Sequence, residues 1–320
     1  MNTELLISNI TNPTLLFFIL GVIAVNIKSD LSIPEQSVKF ISLYLLFSIG
    51  FKGGQELSHS TFNADILYSL LFGIFIASII PVYTFFLLKK KLGNENAGAI
   101  AASYGSVSAV TFVAASGFLE SQNIHFGGHM VAVMALMESP AIVVGVILME
   151  LYSVTKTQKN SIKEIVKHSI TNGSVLMILG SLVIGIISDS KQAEGIKPFT
   201  TDIFKGFLAI FLLEMGMVTA KRFASFKKYG LFVTLVAILL PLVNGSIVAI
   251  FSGFFFDDIG NRFMFAILAA SASYIAVPAA MKLAAPKADP GLYIPMALGL
   301  TFPVNITAGM AIYFYLIFAF

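Results

Sequence analysis

The chain has 320 residues, of which 57% are hydrophobic and only 12% charged, and its mean hydropathy is +0.88. A soluble domain carries about 25% charged residues, so this composition excludes a soluble globular protein. The net charge of +3 comes from basic residues scattered over short loops, which speaks against nucleic-acid binding, and the absence of cysteine removes disulfide and thiol chemistry.

Apolar runs near the ~20 residues needed to cross a bilayer recur along the whole chain. They predict an all-α polytopic membrane protein with ten spans, at about 13–27, 36–50, 65–88, 96–118, 128–152, 172–188, 201–219, 229–256, 261–285 and 292–318. The opening MNTELLISNI has no basic stretch before its apolar part and does not read as a cleaved signal peptide. Several spans carry Gly or Pro, which neighbouring helices can accommodate in lipid.

The two halves echo each other. Gly21–Asp30 resembles Gly180–Asp189, Leu46–Gly50 resembles Leu212–Gly216, Ser103 pairs with Ser271, and Met137–Pro140 resembles Leu300–Pro303. The matches keep their order at a spacing near 165 residues. They predict a five-helix repeat at 1–152, a cytoplasmic connector at 153–171 and a second repeat at 172–320. An odd number of spans per repeat makes the second one inverted. With both termini outside, only Lys52, Lys191, Lys197, Lys205 and Arg262 fall on the outer side, and every other basic residue falls inside. That is the bias expected of a multi-pass protein of the inner (plasma) membrane.

Two segments at corresponding places are small and rich in hydroxyls: AASYGSVSAVTFVAASG at 101–117 and AASASYIAVPAAMKLAA at 269–285. Paired interruptions of this kind, in helices four and nine, point to the substrate site of a secondary transporter. The binding candidates there are Ser103, Gly105, Ser106, Ser108 and Thr111 in the first segment, and Ser271, Ser273 and Tyr274 in the second. Hydroxyls and freed carbonyls suit Na⁺, with Ser103, Ser108, Ser271 and Ser273 as its expected ligands. The N–H groups of a half-helix start suit a small anion. Small residues at these places also serve close helix packing.

Glu138 lies deep in span five, and an acid there is a functional candidate, as cation ligand or proton carrier; a structural hydrogen bond is the plainer role. Glu214 invites the same readings, the structural one first. Asn305 and Asn244 are weaker candidates. Pro140, Pro278 and Pro303 are expected hinges or helix breaks. His125 and His129 have metal-like spacing but no third ligand, so they read as a surface loop, and Lys52-Gly53-Gly54 reads as a helix end with a snorkelling lysine. There is no HExxH, no aspartate pair of the membrane-protease kind and no phosphate-binding loop. The chain is therefore read as no enzyme and as needing no cofactor, with any uphill transport drawing on an ion gradient.

The segments Gly50–Gly54, Gly105–Thr111, Glu138–Ala141, Met215–Met217, Ala269–Tyr274 and Ala288–Ile294 together resemble the cyanobacterial sodium-dependent bicarbonate transporter family. The resemblance covers nearly the whole chain. It implies ten helices in two inverted repeats, a gate domain and a core domain, Na⁺ and anion sites where helices four and nine cross, and a homotrimer. It also brings a nitrogen-regulator-like soluble partner at the cytoplasmic face, for which the short connector gives no support. The chain departs from the family pattern at Ser108-Ala-Val-Thr111, where a hydroxyl is lost at Val110, and at Ser271-Ala-Ser-Tyr274, where a phenol replaces an acid. The expected function is Na⁺-coupled symport of a small anion, bicarbonate first, by alternating access. The alternatives are another small carboxylate or inorganic anion, H⁺ coupling through Glu138, a facilitative channel, and a non-transporting sensor or scaffold acting through 153–171.

Overall fold

A computed structural model describes residues 13–59, 64–152, 171, 173–226 and 230–320. The described residues are helical and contain no strand. The expected connector 153–171 lies outside them apart from Thr171.

In chain order the helices are α1 (Pro13–Asn26), α2 (Glu35–His59), α3 (Ala64–Gly105), α4 (Ala109–Ser121), α5 (His129–Tyr152), α6 (Gly173–Ile187), α7 (Ser190–Lys197), α8 (Phe204–Phe226), α9 (Gly230–Phe251), α10 (Ile259–Ala270), α11 (Ala276–Ala284) and α12 (Pro290–Ala319). Among them, five helical stretches are long and apolar enough to cross a membrane: 64–121, 129–152, 190–221, 230–254 and 290–319. Three shorter apolar helices, Leu15–Asn26, Gly173–Ile187 and Ile259–Ala270, accompany them. The exposed side chains along these helices are mainly apolar, such as Leu71, Phe75, Leu239 and Ile247, as a lipid-facing surface requires.

The helices fall into two packed groups. In the first, α1 packs along α8 and α2 along α6. Glycine makes both contacts close. A Cβ on Gly50 would strike the carbonyl oxygen of Ile178 and approach the amide of Leu182, and a Cβ on Gly216 would strike the carbonyl oxygen of Phe18 and approach the amide of Val22. In the second group α3 packs along α5, while α9 packs against α10 and α12.

Three local features differ from the sequence expectation. Lys52-Gly53-Gly54 does not end a helix: α2 continues to His59, and Gly54 is pressed against Leu182 and Gly185 of α6. Tertiary packing holds these glycines in the helix despite their poor propensity. Span three and the first half of span four form one long α3 with a joint at Gly93, whose φ of 77° and ψ of 164° only glycine adopts readily. Pro140 lies inside an uninterrupted α5, and Pro303 lies in α12 between two π-helical turns, Met296–Thr301 and Asn305–Gly309.

Candidate functional site

Two helices are broken, and the breaks meet. The first break separates α3 from α4 after Gly105, and the second separates α10 from α11 after Ala270. It precedes Pro278, which sits within α11. At the crossing the backbones are joined: the Ser273 amide donates to the Ser103 carbonyl at 2.8 Å, and the Ser103 hydroxyl donates to the Ser273 carbonyl at 2.6 Å. A second tie runs from the Ser108 amide to the Ser271 hydroxyl at 3.0 Å, and that hydroxyl in turn donates to the Leu268 carbonyl at 2.9 Å. Ser108 caps α4 by accepting from the Thr111 amide at 3.2 Å.

A small cavity adjoins this crossing, on the seam between the two helix groups. The second group contributes Ser108, Ala109 and Val110 from the start of α4, Ser273, Tyr274, Ile275 and Ala276 from the start of α11, and Glu138 from α5. The first group closes it with Ser42, Leu45 and Leu46 of α2, Ser174, Val175 and Ile178 of α6, and Phe211 of α8. The space open to the centre of a water-sized solute is about 40 Å³, which suits a small solute and excludes a bulky one.

Two half-helix N-termini thus line the same cavity, and each brings the positive end of its dipole. Ser108, Ser273 and Tyr274 add hydroxyls. The Tyr274 hydroxyl is buried beside Ser108 with no hydrogen bond within 3.5 Å. Glu138, 9% exposed, is the one charged group among the described residues lining the cavity. Such a set can hold an anion at the helix starts and a cation at hydroxyl, carbonyl and carboxylate oxygens.

The remaining candidates divide. Ser106 is fully buried and its hydroxyl has no partner, a plain oxygen for a small cation; Thr111 is buried in the first turn of α4. Gly105 is explained by packing, since a Cβ there would meet Pro81 and Ala141. Asn305 does not face the cavity. Its side-chain amide donates to the Ala270 carbonyl at 2.8 Å, satisfying the broken end of α10, and it accepts from the Tyr313 hydroxyl at 3.0 Å. Asn244 is likewise engaged, accepting from the Tyr83 hydroxyl at 2.6 Å. Glu214 is half-buried on α8 away from the cavity lining. Among the described residues no three His, Cys, Asp or Glu gather to hold a metal; His125 is exposed, while His129 opens α5.

The sequence did not single out Ser42 and Ser174, the hydroxyls that face the cavity from the other group. Each is an isolated serine in an apolar helix, with no local signal to separate it from a packing residue.

Two crossed helix breaks beside a largely apolar cavity with a few convergent polar groups, within apolar helices, are the architecture of a membrane transporter. The family model of the Na⁺-dependent bicarbonate transporter superfamily matches residues 13–318. The chain belongs to this superfamily. A search of curated proteins finds no match. As a superfamily member, the chain is a multi-pass membrane transporter. Two of the departures from the bicarbonate pattern, Val110 and Tyr274, line its cavity.

Proposed function

We propose that the chain is a secondary active transporter that couples Na⁺ to the uptake of a small anion, with bicarbonate as the leading substrate. The observation that carries this reading is the convergence of the α4 and α11 N-termini on one small cavity beside Glu138. The helix starts would hold the anion, and oxygens from Ser103, Ser106, Ser108, Ser271 and Ser273 would hold Na⁺. The charge of Na⁺ would offset the anion's desolvation.

We read the architecture as two inverted five-helix repeats. Its support is a set of contacts that recur in both halves. Gly50 meets Ile178 and Leu182 through the same backbone atoms with which Gly216 meets Phe18 and Val22. Asn96 accepts from the Asp289 amide at 2.8 Å, as Asn261 accepts from the Gly127 amide at 2.7 Å. The group of α1, α2, α6 and α8 would then be the gate and the remaining spans the core, with alternating access as movement along the seam. Basic-residue placement puts both termini outside, so this cavity, on the connector side of the crossing, faces the cytoplasm. The homotrimer is carried over from the family resemblance.

The test is uptake of labelled bicarbonate into proteoliposomes with and without an inward Na⁺ gradient, for the native chain and for Ser108→Ala/Ser271→Ala. Na⁺-driven uptake that the double variant loses supports both function and site. Folded protein without bicarbonate uptake would move the substrate to another small anion. A second reading, H⁺ coupling, rests on Glu138 as the cavity's single carboxylate; it predicts uptake driven by external acid and indifferent to Na⁺.

A further inference from the structure

A second cavity lies on the same seam, farther from the connector. Along α2, Lys52 and Glu56 follow the cavity residues Ser42 and Leu46; along α4, Ser116 and Glu120 follow Val110 and Val113. His125, beyond the end of α4, completes its polar lining. Between the two cavities the seam is shut by apolar packing: Leu208 of α8, 1% exposed, lies against Gly117 of α4, where a Cβ would come within 2.9 Å of it. Across its mouth, Lys205 of α8 and Glu120 of α4 form an ion pair at 3.7 Å that spans the seam.

Lys52 is unusual in this setting. It is half-buried, within α2 rather than at its tip, and it borders both this cavity and a neighbouring one lined by Gln55, Glu194 and Lys197. Glu56, one turn on, interacts electrostatically with Lys52 and with His125, and Glu120 lines the same cavity. Among the described residues lining the inner cavity beyond Leu208, Glu138 is the one charged group, and attraction of an anion arriving from the outer side falls to groups outside the plug.

We propose that this second cavity is the outer vestibule for the transported small anion, that Lys52 is the residue that recruits it, and that Leu208 on Gly117 with the Lys205–Glu120 pair forms the outer closure. This rests on the transporter reading, but its test does not need transport. The chain has no cysteine, so Ser116→Cys places a single thiol in the vestibule. In right-side-out vesicles, that thiol is labelled with methanethiosulfonates of similar size carrying either a sulfonate or a trimethylammonium group. Glu56 and Glu120 act against Lys52 on the native ratio, so the change is read: Lys52→Gln should lower the ratio of sulfonate to trimethylammonium rates about tenfold, the scale of local charge focusing. Lys52→Arg should restore it. A ratio unchanged in Lys52→Gln would overturn the role of Lys52. A thiol reached only in inside-out vesicles would overturn the vestibule. In parallel, Lys52→Gln should raise the bicarbonate concentration for half-maximal uptake and leave the maximal rate near that of the native chain. A native chain without flux but with lysine-dependent labelling would sink the transporter reading and leave the vestibule standing.

Discussion

Ser103 and Ser273 hold each other by a reciprocal pair of hydrogen bonds, amide to carbonyl at 2.8 Å in one direction and hydroxyl to carbonyl at 2.6 Å in the other. Each serine lies at the break of a different helix, so neither break can shift without the other. The residues that line the cavity from α4 and α11 are thereby carried as one piece, with their geometry fixed before any solute arrives.

The hydroxyl at Ser271 is expected to matter for the fold as well as the site. Ser271→Ala leaves the buried Ser108 amide without its acceptor, a loss of about 1–3 kcal/mol. Thermal unfolding in detergent should show a lowered midpoint. Ser106→Ala removes a hydroxyl that has no partner, so its midpoint should stay level or rise while stabilisation by added Na⁺ declines. Equal losses in both variants would argue that Ser106 is structural.

Glu138→Gln keeps the shape of the side chain and removes its charge from the cavity. If the carboxylate shares the coupling ion, the Na⁺ concentration for half-maximal uptake should rise about tenfold, equivalent to about 1.4 kcal/mol. A Na⁺ titration of uptake at fixed anion checks this. Unchanged Na⁺ dependence would remove Glu138 from the ion site.

Gly216→Ala and Gly50→Ala should each destabilise by about 1–3 kcal/mol, because the added methyl falls on backbone that cannot rotate away. Gly180→Ala and Gly206→Ala enter open space and should be tolerated. The comparison is made on thermal midpoints and on the yield of monodisperse protein.

At Gly93 an added methyl group would meet nothing within 4 Å, yet the backbone sits where other residues are strained. Gly93→Ala should therefore cost about 1–3 kcal/mol from conformation alone. A midpoint equal to that of the native chain would mean that the joint can straighten freely.

The all-helical, membrane-crossing character was legible, because an apolar run of membrane length is a property of local composition; of the ten spans read, the described residues show five helical stretches long and apolar enough to cross and three shorter apolar helices. The two breaks were legible for a related reason: clustered small and hydroxylated residues stand out in such surroundings, and Ser103, Ser108, Ser271 and Ser273 all lie at the crossing. Partnership was not legible. Gly53 and Gly54 read as a helix end, since nothing local announces Val131 and Gly128 facing the one or Leu182 and Gly185 facing the other. Asn305 read as a weaker candidate, and nothing local announces its distant partner, the Ala270 carbonyl, which is free only because α10 stops there. Proline misled in the same way: Pro140 sits in an unbroken helix, and the second break opens before Pro278.

The glycine contacts of α1 with α8 and of α2 with α6 have a consequence for biogenesis. α1 and α2 leave the ribosome long before their partners exist, and must wait in lipid with the faces of Gly21, Gly50 and Gly54 uncovered. Lipid tolerates bare small residues but gives them little to grip. The early helices therefore stay free to slide and tilt until α6 and α8 insert, and the seam between the two helix groups cannot close before then.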